Sequence, residues 1–266
     1  MHSAFALVRA SWRSASSYRL RLILSFGALL VSVVPLYFIA GALQQTMAAS
    51  IEAEGGQYFG FLIVGSIAFM LVSYAVSALG SEIGSGINTG VLDALLGTPA
   101  SMPSVLGGLI GYGILWTGAR GLVLLLGAWF LGANLHWEQA FSALLIVMLI
   151  VAAYLPIGMI AAACVVAFRT PGPLPQLVAA GSALLGGVYY PTSVIPSWIE
   201  GLANLVPLSY GLRALRGTLL DGQPLSAVMQ DTGILALMAL VLAMVGTASL
   251  LAAFHHARRT GTLAHY

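Results

Sequence analysis

Side chains that could carry out chemistry are few in this sequence of 266 residues, which contains eight acidic residues, five histidines, one cysteine and ten arginines. All the histidines fall outside the long apolar stretches, and no two of them combine metal-ligand spacing with a matching acid. An H-E-x-x-H motif and an acid pair within an apolar stretch are both absent, which argues against a membrane-embedded protease. Cys164 lies in an apolar run, as is typical of a small buried hydrophobe. The sequence therefore predicts that this chain is not an enzyme.

The absence of lysine limits the chemistry further. The phosphate-binding motif G-x-x-x-x-G-K-[ST] requires a lysine, so it cannot occur in this chain. Whatever energy source drives the protein is therefore not a P-loop on this polypeptide. We expect no cofactor and no metal ion on this one.

Arg120 is unusual because it lies inside an apolar stretch, where a charge costs roughly 2.5–3.5 kcal/mol on insertion scales. We expect it to face other helices, a partner subunit or a wet path rather than lipid. Two roles stay open. Arg120 is either a path or gate residue that meets an anionic group of a substrate, or a structural residue that pairs with helix-end carbonyls or a carboxylate at a dimer seam.

The composition predicts an all-α membrane protein that crosses the bilayer several times. Apolar residues make up 59% of the chain, charged residues only 7%, and the mean hydropathy is +0.97. A soluble domain carries roughly 25% charged residues. The apolar stretches predict one transmembrane domain over residues 1–266 with six spans, at approximately 22–43, 58–79, 105–131, 139–168, 176–190 and 233–254.

The distribution of arginines predicts the orientation. Residues 3–19 have the amphipathic pattern of an interfacial helix before the first span. With the N-terminus inside, seven arginines lie on the cytoplasmic side and two on the outer side, so the positive-inside rule places both termini in the cytoplasm. The cytoplasmic set is Arg9, Arg13, Arg19, Arg21, Arg169, Arg258 and Arg259, and the outer set is Arg213 and Arg216.

The connection between the second and third spans predicts a short amphipathic helix at the cytoplasmic surface. Apolar side chains recur at a spacing of four residues, and a glycine and a proline then stop the helix. The polar face is acidic and lacks arginine, which favours a docking surface for a protein partner over a helix that rests on lipid headgroups. The apolar stripe is Ile83, Ile87, Val91, Leu92, Leu95 and Leu96, the polar face is Glu82, Asn88, Thr89 and Asp93, and the stop is Gly97 and Pro99.

A proline-punctuated region between Pro191 and Pro224 follows the fifth span. Pro196 and Pro207 stand where helices can start, and the run between them is too short to cross a bilayer. The apolar character of the region predicts two short re-entrant helices that dip into the outer leaflet, because irregular backbone at that depth must pack against protein or a wet cavity.

Four polar side chains of this region are candidate functional residues. Arg213 and Arg216 are three residues apart on one helix face, where lipid phosphates or a substrate would be their partners. Tyr189 and Tyr190 are typical of an aromatic belt at the membrane interface.

Two passages together resemble the ABC-2 type family of ABC transporter permeases. The passage Glu82 … Gly90-Val-Leu-Asp-Ala-Leu-Leu-Gly-Thr-Pro99 is similar to the signature E…GTLE-x-LL-x-TP of that family, although Thr89-Gly-Val-Leu-Asp departs from the usual Gly-Thr-Leu-Glu order. The second passage resembles the family's segment after the fifth span, and its wording PLSYGLRALRGTLL looks more like the drug and antibiotic exporters than the O-antigen or capsule exporters. It reads Gly187-Val-Tyr-Tyr-Pro … Ile195-Pro-Ser-Trp … Asn204-Leu-Val-Pro-Leu … Leu212-Arg-Ala-Leu-Arg … Gly222.

The resemblance covers the whole chain and implies that transport and ATP hydrolysis are carried out by different subunits. Two copies, or one copy and a similar permease, would pair in a bacterial inner membrane, and each would dock a separate ATPase subunit that binds ATP and Mg²⁺. Membrane lipids are further partners, and no nucleic acid is expected. The implied coupling helix comprises Glu82, Ile83, Ile87, Asn88, Val91, Leu92, Asp93, Leu95 and Thr98, and the candidate substrate path comprises Arg120, Tyr189, Tyr190, Arg213 and Arg216.

The resemblance predicts an exporter of a hydrophobic or amphipathic, drug-like or antibiotic-like substrate. Export of a lipid-linked polysaccharide or glycolipid is the alternative within the family. An ion-coupled secondary transporter is the alternative of another class, and it is disfavoured because such carriers keep carboxylates or broken helices near the midplane in repeated halves. This sequence has no acid within a predicted span and no internal repeat.

Overall fold

The structure, a computed structural model, describes residues 19–88, 102–168, 172–194 and 196–259. All regular secondary structure in these ranges is helical, and the predicted interfacial helix lies almost entirely outside them. The α-helices of the described ranges are α1 (Arg19–Met47), α2 (Tyr58–Asn88), α3 (Met102–Phe130), α4 (Ala140–Phe168), α5 (Leu174–Leu185), α6 (Ser197–Ala203), α7 (Pro207–Leu219) and α8 (Met229–Arg259). Short 3-10 turns lie at Ala48–Ser50, Glu52–Glu54, Trp137–Gln139 and Thr192–Val194.

Five helices of the described part are long and apolar enough to cross a membrane, and they coincide with five of the six predicted spans. These spans are Leu24–Ser50, Tyr58–Ser85, Ile110–Phe130, Trp137–Ala167 and Met229–His256. The segment predicted as the fifth span, 176–190, differs from the other five. Its helix α5 has only 12 residues, or about 18 Å at 1.5 Å per residue, and it is too short to cross a hydrocarbon core of about 30 Å.

Glycine ends α5 early. Gly187 has a φ of 73°, a left-handed conformation that suits glycine, and the Val188 N–H reaches back to the Ala183 carbonyl oxygen at 3.4 Å. This is the hydrogen bond of a Schellman-type helix end. The backbone after α5 is therefore irregular, up to the short helices α6 and α7. Those two helices start at Ser197 and Pro207, close to the two prolines that predicted them.

Helix α2 is the centre of the bundle. About 67% of its spanning segment is buried by the rest of the chain, compared with 17% for α1 and 22% for α8. It packs against α1, α3, α4, α5 and α7. The peripheral helices α1 and α8 therefore leave most of their apolar surface open to lipid or to a second chain.

Small residues allow the helices to approach one another closely, as is common in membrane bundles. A side chain at Gly158 of α4 would place its Cβ 2.4 Å from the carbonyl oxygen of Ala75 in α2. A side chain at Gly246 of α8 would place its Cβ 2.5 Å from the carbonyl oxygen of Pro156 in α4. At these two glycines, the backbone of α4 packs directly against that of α2, and the backbone of α8 packs directly against that of α4.

We expect Gly158→Ala to lower the thermal stability of the purified protein, because its methyl group would collide with a rigid backbone carbonyl. Overpacking of this kind destabilises by about 1–3 kcal/mol, which outweighs the gain of about 1 kcal/mol from replacing glycine by alanine in a helix. Gly27→Ala on α1 is the matched control, since no atom lies within 4 Å of its added Cβ. Thermal unfolding in detergent compares the two variants, and equal melting temperatures would contradict the close packing of α2 and α4.

Candidate functional site

The C-terminal end of α2 contains the first residues of the predicted coupling helix. We predicted a separate surface helix from Ser81, but α2 continues without a break to Asn88. Nothing between Gly80 and Asn88 stops a helix, and a Cβ added at either Gly80 or Gly84 would lie 3.8 Å from the side chain of Val165 in α4. This part of the segment therefore extends the second span.

The described residues of the predicted coupling helix differ in their exposure. The Glu82 side chain is exposed, as a docking residue requires. Ile83 is fully buried against α4 and α8, with Val165 and Phe254 in the same cluster, so its side chain packs inside the bundle. Its assignment to the coupling helix stays a prediction. Helix α2 also contains Ile87 and Asn88, whereas Val91, Leu92, Asp93, Leu95 and Thr98 lie outside the described residues.

The opposite end of the molecule contains a buried ion pair. Arg216 of α7 is only 2% exposed, and its Nη1 donates to Glu54 Oε2 at 2.8 Å. Its Nη2 lies within hydrogen-bond distance of three backbone carbonyl oxygens, those of Gly187 at 2.9 Å, Val188 at 3.1 Å and Phe61 at 3.3 Å. The guanidinium carbon also lies 3.4 Å from the centroid of the Phe61 ring. One side chain thus joins α7, the first turns of α2, the turn before α2 and the backbone after α5.

The absence of a side chain at Gly65 leaves room for the Arg216 guanidinium. A Cβ at Gly65 would lie 2.1 Å from the Val188 carbonyl oxygen and 2.9 Å from Arg216 Nη2. The carbonyls of Gly187 and Val188 follow the end of α5, where unpaired carbonyls concentrate negative charge. A cation is therefore favourable at this position. Helix α7 brings Arg216 there because it packs against α2, α4 and α8.

Burial and pairing with Glu54 have opposite effects on the pKa of Arg216. Burial lowers the pKa of Arg216 to about 10, and the charge of Glu54 acts in the other direction. The guanidinium therefore remains protonated at neutral pH. Its Nε is buried and has no hydrogen-bond partner, so the pair with Glu54 and the carbonyl contacts must stabilise the whole charge.

Hydrogen bonds around this ion pair connect the loops at this end of the molecule to one another. The Tyr58 hydroxyl donates to the Tyr189 carbonyl oxygen at 2.8 Å, and the His136 N–H donates to the Leu219 carbonyl oxygen at 2.9 Å. The Gln57 side-chain amide donates to the Gly132 carbonyl oxygen at 2.9 Å. The loops before α2, between α3 and α4, and around α7 are therefore held as one unit.

A second carboxyl group lies beside the ion pair. Burial raises the pKa of Asp221 above its ordinary value, the charge of Glu54 raises it further, and His136 lowers it. The backbone turns at Gly222, which has a φ of 67°, and a Cβ there would lie 2.8 Å from the His136 ring. The outer end therefore holds polar groups at close range, in contrast to the apolar interior.

Arg213 and Arg216 have carboxylate partners where we predicted lipid phosphates or a substrate. Arg213 Nη2 lies 2.8 Å from Asp231 Oδ1, and both side chains are partly exposed, at 39% and 26%. The guanidinium of Arg213 also lies 4.8 Å from the centroid of the Tyr210 ring. Arg216 is enclosed by protein, and its hydrogen bonds go to Glu54 and to backbone carbonyl oxygens.

The two tyrosines differ in exposure. Tyr189 is 43% exposed, and its ring centroid lies 6.4 Å from that of Phe69. Tyr190 is partly buried, and its hydroxyl donates to the Leu184 carbonyl oxygen at 2.6 Å. Tyr189 is thus the one of the pair with a side chain open to the surroundings.

Arg120 lies near the middle of α3, away from this outer network. Its side chain is partly exposed, and its Nε is buried with no hydrogen-bond partner. Among the described residues the ion pairs are those of Arg213 and Arg216, and Arg120 takes part in neither. Trp116, one turn earlier on the same helix, lies between the rings of Phe26 and Tyr112, at centroid distances of 5.3 Å and 6.4 Å. The predicted carboxylate partner of Arg120 is therefore not among the described residues of a single chain.

An apolar groove of about 420 Å³ lies between α3 and α4, with α2 and α7 at its base. Its lining includes Ile67, Leu122, Val147 and Leu215, and every residue that lines it is apolar. Such a groove can take an apolar chain but has no charged side chain to orient one. Arg120 does not line it. The described residues also contain no group of three or more His, Cys, Asp or Glu side chains that could hold a metal ion.

We expect Glu54→Gln to destabilise the protein strongly, because it leaves the Arg216 charge buried without its carboxylate. Loss of one partner of a buried pair costs about 3–5 kcal/mol. Asp231→Asn is the matched control, since it removes a carboxylate at the same 2.8 Å distance from an arginine that is partly exposed. An exposed pair contributes no more than about 1 kcal/mol. If thermal unfolding shifts equally in both variants, the buried ion pair does not hold the outer loops.

Comparisons with known proteins show what this chain is similar to. A family model described as ABC-2 type transporter matches residues 4–220. The chain is 25% identical over 170 residues to the inner membrane transport permease YadH of Escherichia coli (strain K12), and the match covers 62% of this chain and 64% of that protein. The inner membrane transport permease YadH of Shigella flexneri gives the same values. The chain therefore spans about 64% of the length of the curated relatives that it matches. With most of its length matched by the family model, this chain belongs to the ABC-2 type transporter family.

Proposed function

We propose that this chain is the membrane-spanning subunit of an ATP-driven ABC exporter. One observation carries the proposal: an ABC-2 transporter match over residues 4–220 in a chain without the lysine that a P-loop needs. The energy for transport then comes from a separate ATPase subunit, which binds ATP and Mg²⁺. The printed name of the relatives, inner membrane transport permease, supports a transport role in a bacterial inner membrane.

The proposed arrangement has six crossings with both termini in the cytoplasm. Helix α5 and the irregular backbone after it would together make the fifth crossing. The hydroxyl of Tyr154, in the middle of α4, donates a hydrogen bond to the Ser182 hydroxyl oxygen of α5 at 2.8 Å. The Val188 carbonyl oxygen accepts a hydrogen bond from Arg216, which lies beside the outer end of α2. The segment between Ser182 and Val188 therefore rises from the middle of the bundle to its outer end, which supports a completed crossing.

Two copies of the chain, or this chain and a similar permease, would form the transporter. The low burial of α1 supports this assembly, since Val31 and Phe38 are each 69% exposed on it. Large apolar side chains on one face of a helix suit either lipid or the apolar face of a second subunit. A path for the substrate would then form between the two copies rather than within one.

Helix α2 would connect the coupling segment mechanically to the outer end of this assembly. It is continuous from Tyr58 to Asn88, about 46 Å at 1.5 Å per residue. Its outer end takes part in the Arg216 network, and its cytoplasmic end leads into the proposed coupling segment. ATP would close the ATPase dimer, move the coupling segments and shift α2 as a rigid body. The nucleotide drives this change because it binds one state more tightly than the other.

The substrate would be a hydrophobic or amphipathic, drug-like or antibiotic-like molecule. The apolar groove of about 420 Å³ supports a cargo with an apolar body. The partly exposed side chain of Arg120 supports a polar or charged part as well. Such a molecule would enter from the cytoplasm or the inner leaflet and leave on the outer side.

A pull-down from membranes of the native host tests the proposed partner. The tagged chain should retain a P-loop ATPase. Glu82→Arg combined with Asp93→Arg should reduce the recovered ATPase about tenfold or more, because like charges across an interface cost several kcal/mol. Size-exclusion chromatography checks that the variant keeps the assembly state of the wild-type permease.

The matched control is Glu52→Arg combined with Glu138→Arg, which reverses two exposed acids at the opposite end of the molecule. We expect normal recovery of the ATPase with this variant. The proposal fails if no P-loop ATPase is retained, or if transport of substrate into vesicles proceeds with this chain as the only protein present. Equal losses in both double variants would contradict the position of the coupling segment.

A further inference from the structure

The guanidinium of Arg120 has no carboxylate partner among the described residues. Its Nε is buried without a hydrogen-bond partner, while the rest of the side chain is partly exposed, and the ion pairs of the described residues belong to Arg213 and Arg216. Arg216, whose Nε is also buried without a partner, has a carboxylate and three carbonyl oxygens around its other nitrogens. Arg120 therefore places a charge within a span without the contacts that Arg216 has.

The depth of Arg120 excludes lipid headgroups as the source of the missing anion. Arg120 is at the centre of the span Ile110–Phe130, about ten residues from either end. Ten helical residues correspond to about 15 Å, which is half of a hydrocarbon core of about 30 Å. An arginine side chain shortens this distance by snorkelling but does not cover it from the bilayer centre.

The acids of the described residues do not lie in the middle of a span. Each of them belongs to a span end or to a connection between spans, and a second identical copy would bring the same described acids, none of them at the depth of Arg120. These acids are Glu52, Glu54, Glu82, Glu138, Glu200, Asp221 and Asp231, and Asp93 lies outside the described residues.

Aromatic rings lie next to Arg120 on the same face of α3. Trp116 precedes it by four residues and therefore lies on the same side of the helix. Its ring is within 5.3 Å of Phe26 and stacks on Tyr112 with an angle of 12° between the planes. Since Trp116 and Tyr112 are only partly buried, their rings form a partly exposed aromatic surface on the helix face that also carries Arg120.

We infer that Arg120, with Trp116, Tyr112 and Phe26, forms a binding site for an amphipathic organic anion. The guanidinium binds the carboxylate, sulfonate or phosphate group, and the aromatic rings bind the apolar or aromatic body of the ligand. This inference deepens the proposed function, and it rests on that function for the claim that the bound anion is the transported substrate. The binding itself does not need the ATPase.

A pair of dyes that differ in one group tests the site. 8-Anilino-1-naphthalenesulfonate carries a sulfonate, and N-phenyl-1-naphthylamine has the same rings without it. Each dye is titrated against the purified full-length chain in phosphatidylcholine nanodiscs, and empty nanodiscs give the background. The wild-type protein should bind the sulfonate dye with a saturable signal. Arg120→Met should weaken this binding about 10- to 100-fold, the effect of losing a charge-assisted hydrogen bond, and should leave the neutral dye unaffected.

Three controls define the outcome. Arg120→Lys should retain part of the affinity for the sulfonate dye, because it keeps the positive charge. Arg21→Met removes a positive charge at the cytoplasmic end of α1 and should leave both dyes unaffected. Trp116→Ala should weaken both dyes, since the rings bind the part that they share. Melting temperatures and size-exclusion profiles identify any variant that has lost its fold or assembly.

Unchanged binding of the sulfonate dye in Arg120→Met would overturn the inference. Loss of the dimer in that variant, with both dyes affected alike, would also overturn it and would make Arg120 a residue of the subunit seam. These results are independent of the partner. If no ATPase is retained by the chain but Arg120→Met still loses only the anionic dye, the anion site stands and the proposed function fails.

Discussion

The outer half of this protein depends on the burial of one guanidinium. Backbone that leaves a helix at membrane depth exposes carbonyls that lipid cannot satisfy. The chain leaves α5 at Gly187, and Arg216 donates to the carbonyl oxygens of Gly187 and Val188, at 2.9 Å and 3.1 Å. The same side chain is neutralised by Glu54. A shortened helix, an irregular segment and a buried charge therefore form one compatible set, and none of them would be stable there without the others.

The position of α2 extends this constraint through the membrane. Phe61 and Gly65 near its N-terminal end contact Arg216 or leave space for it, and Ile83 near its C-terminal end is buried between α4 and α8. A helix fixed at both ends and packed on several sides moves as a unit, because close-packed interiors do not deform continuously. A displacement of its C-terminal end would therefore reach the loops at its N-terminal end without a flexible joint in between.

The two arginines with a buried Nε show how protein context decides the role of a charge. Arg216 is enclosed by partners, so its charge stabilises the fold. Arg120 has no carboxylate partner among the described residues, so we propose that its charge binds a ligand. Both stand in apolar surroundings in the sequence, which distinguishes neither from the other. The difference comes from Glu54, which lies 162 residues away from Arg216 along the chain.

The sequence by itself determined the membrane class, the positions of the long helices and the starts of the short helices near Pro196 and Pro207, because these follow from local hydropathy and from the fixed backbone of proline. It also indicated the family through two local passages. Only the tertiary structure decided that α5 ends at Leu185, that Ile83 is buried, and that Arg216 pairs with Glu54. These features depend on contacts between segments far apart in the chain, and the energy of a buried charge or a helix end is set by the groups that packing brings to it, which no local pattern specifies.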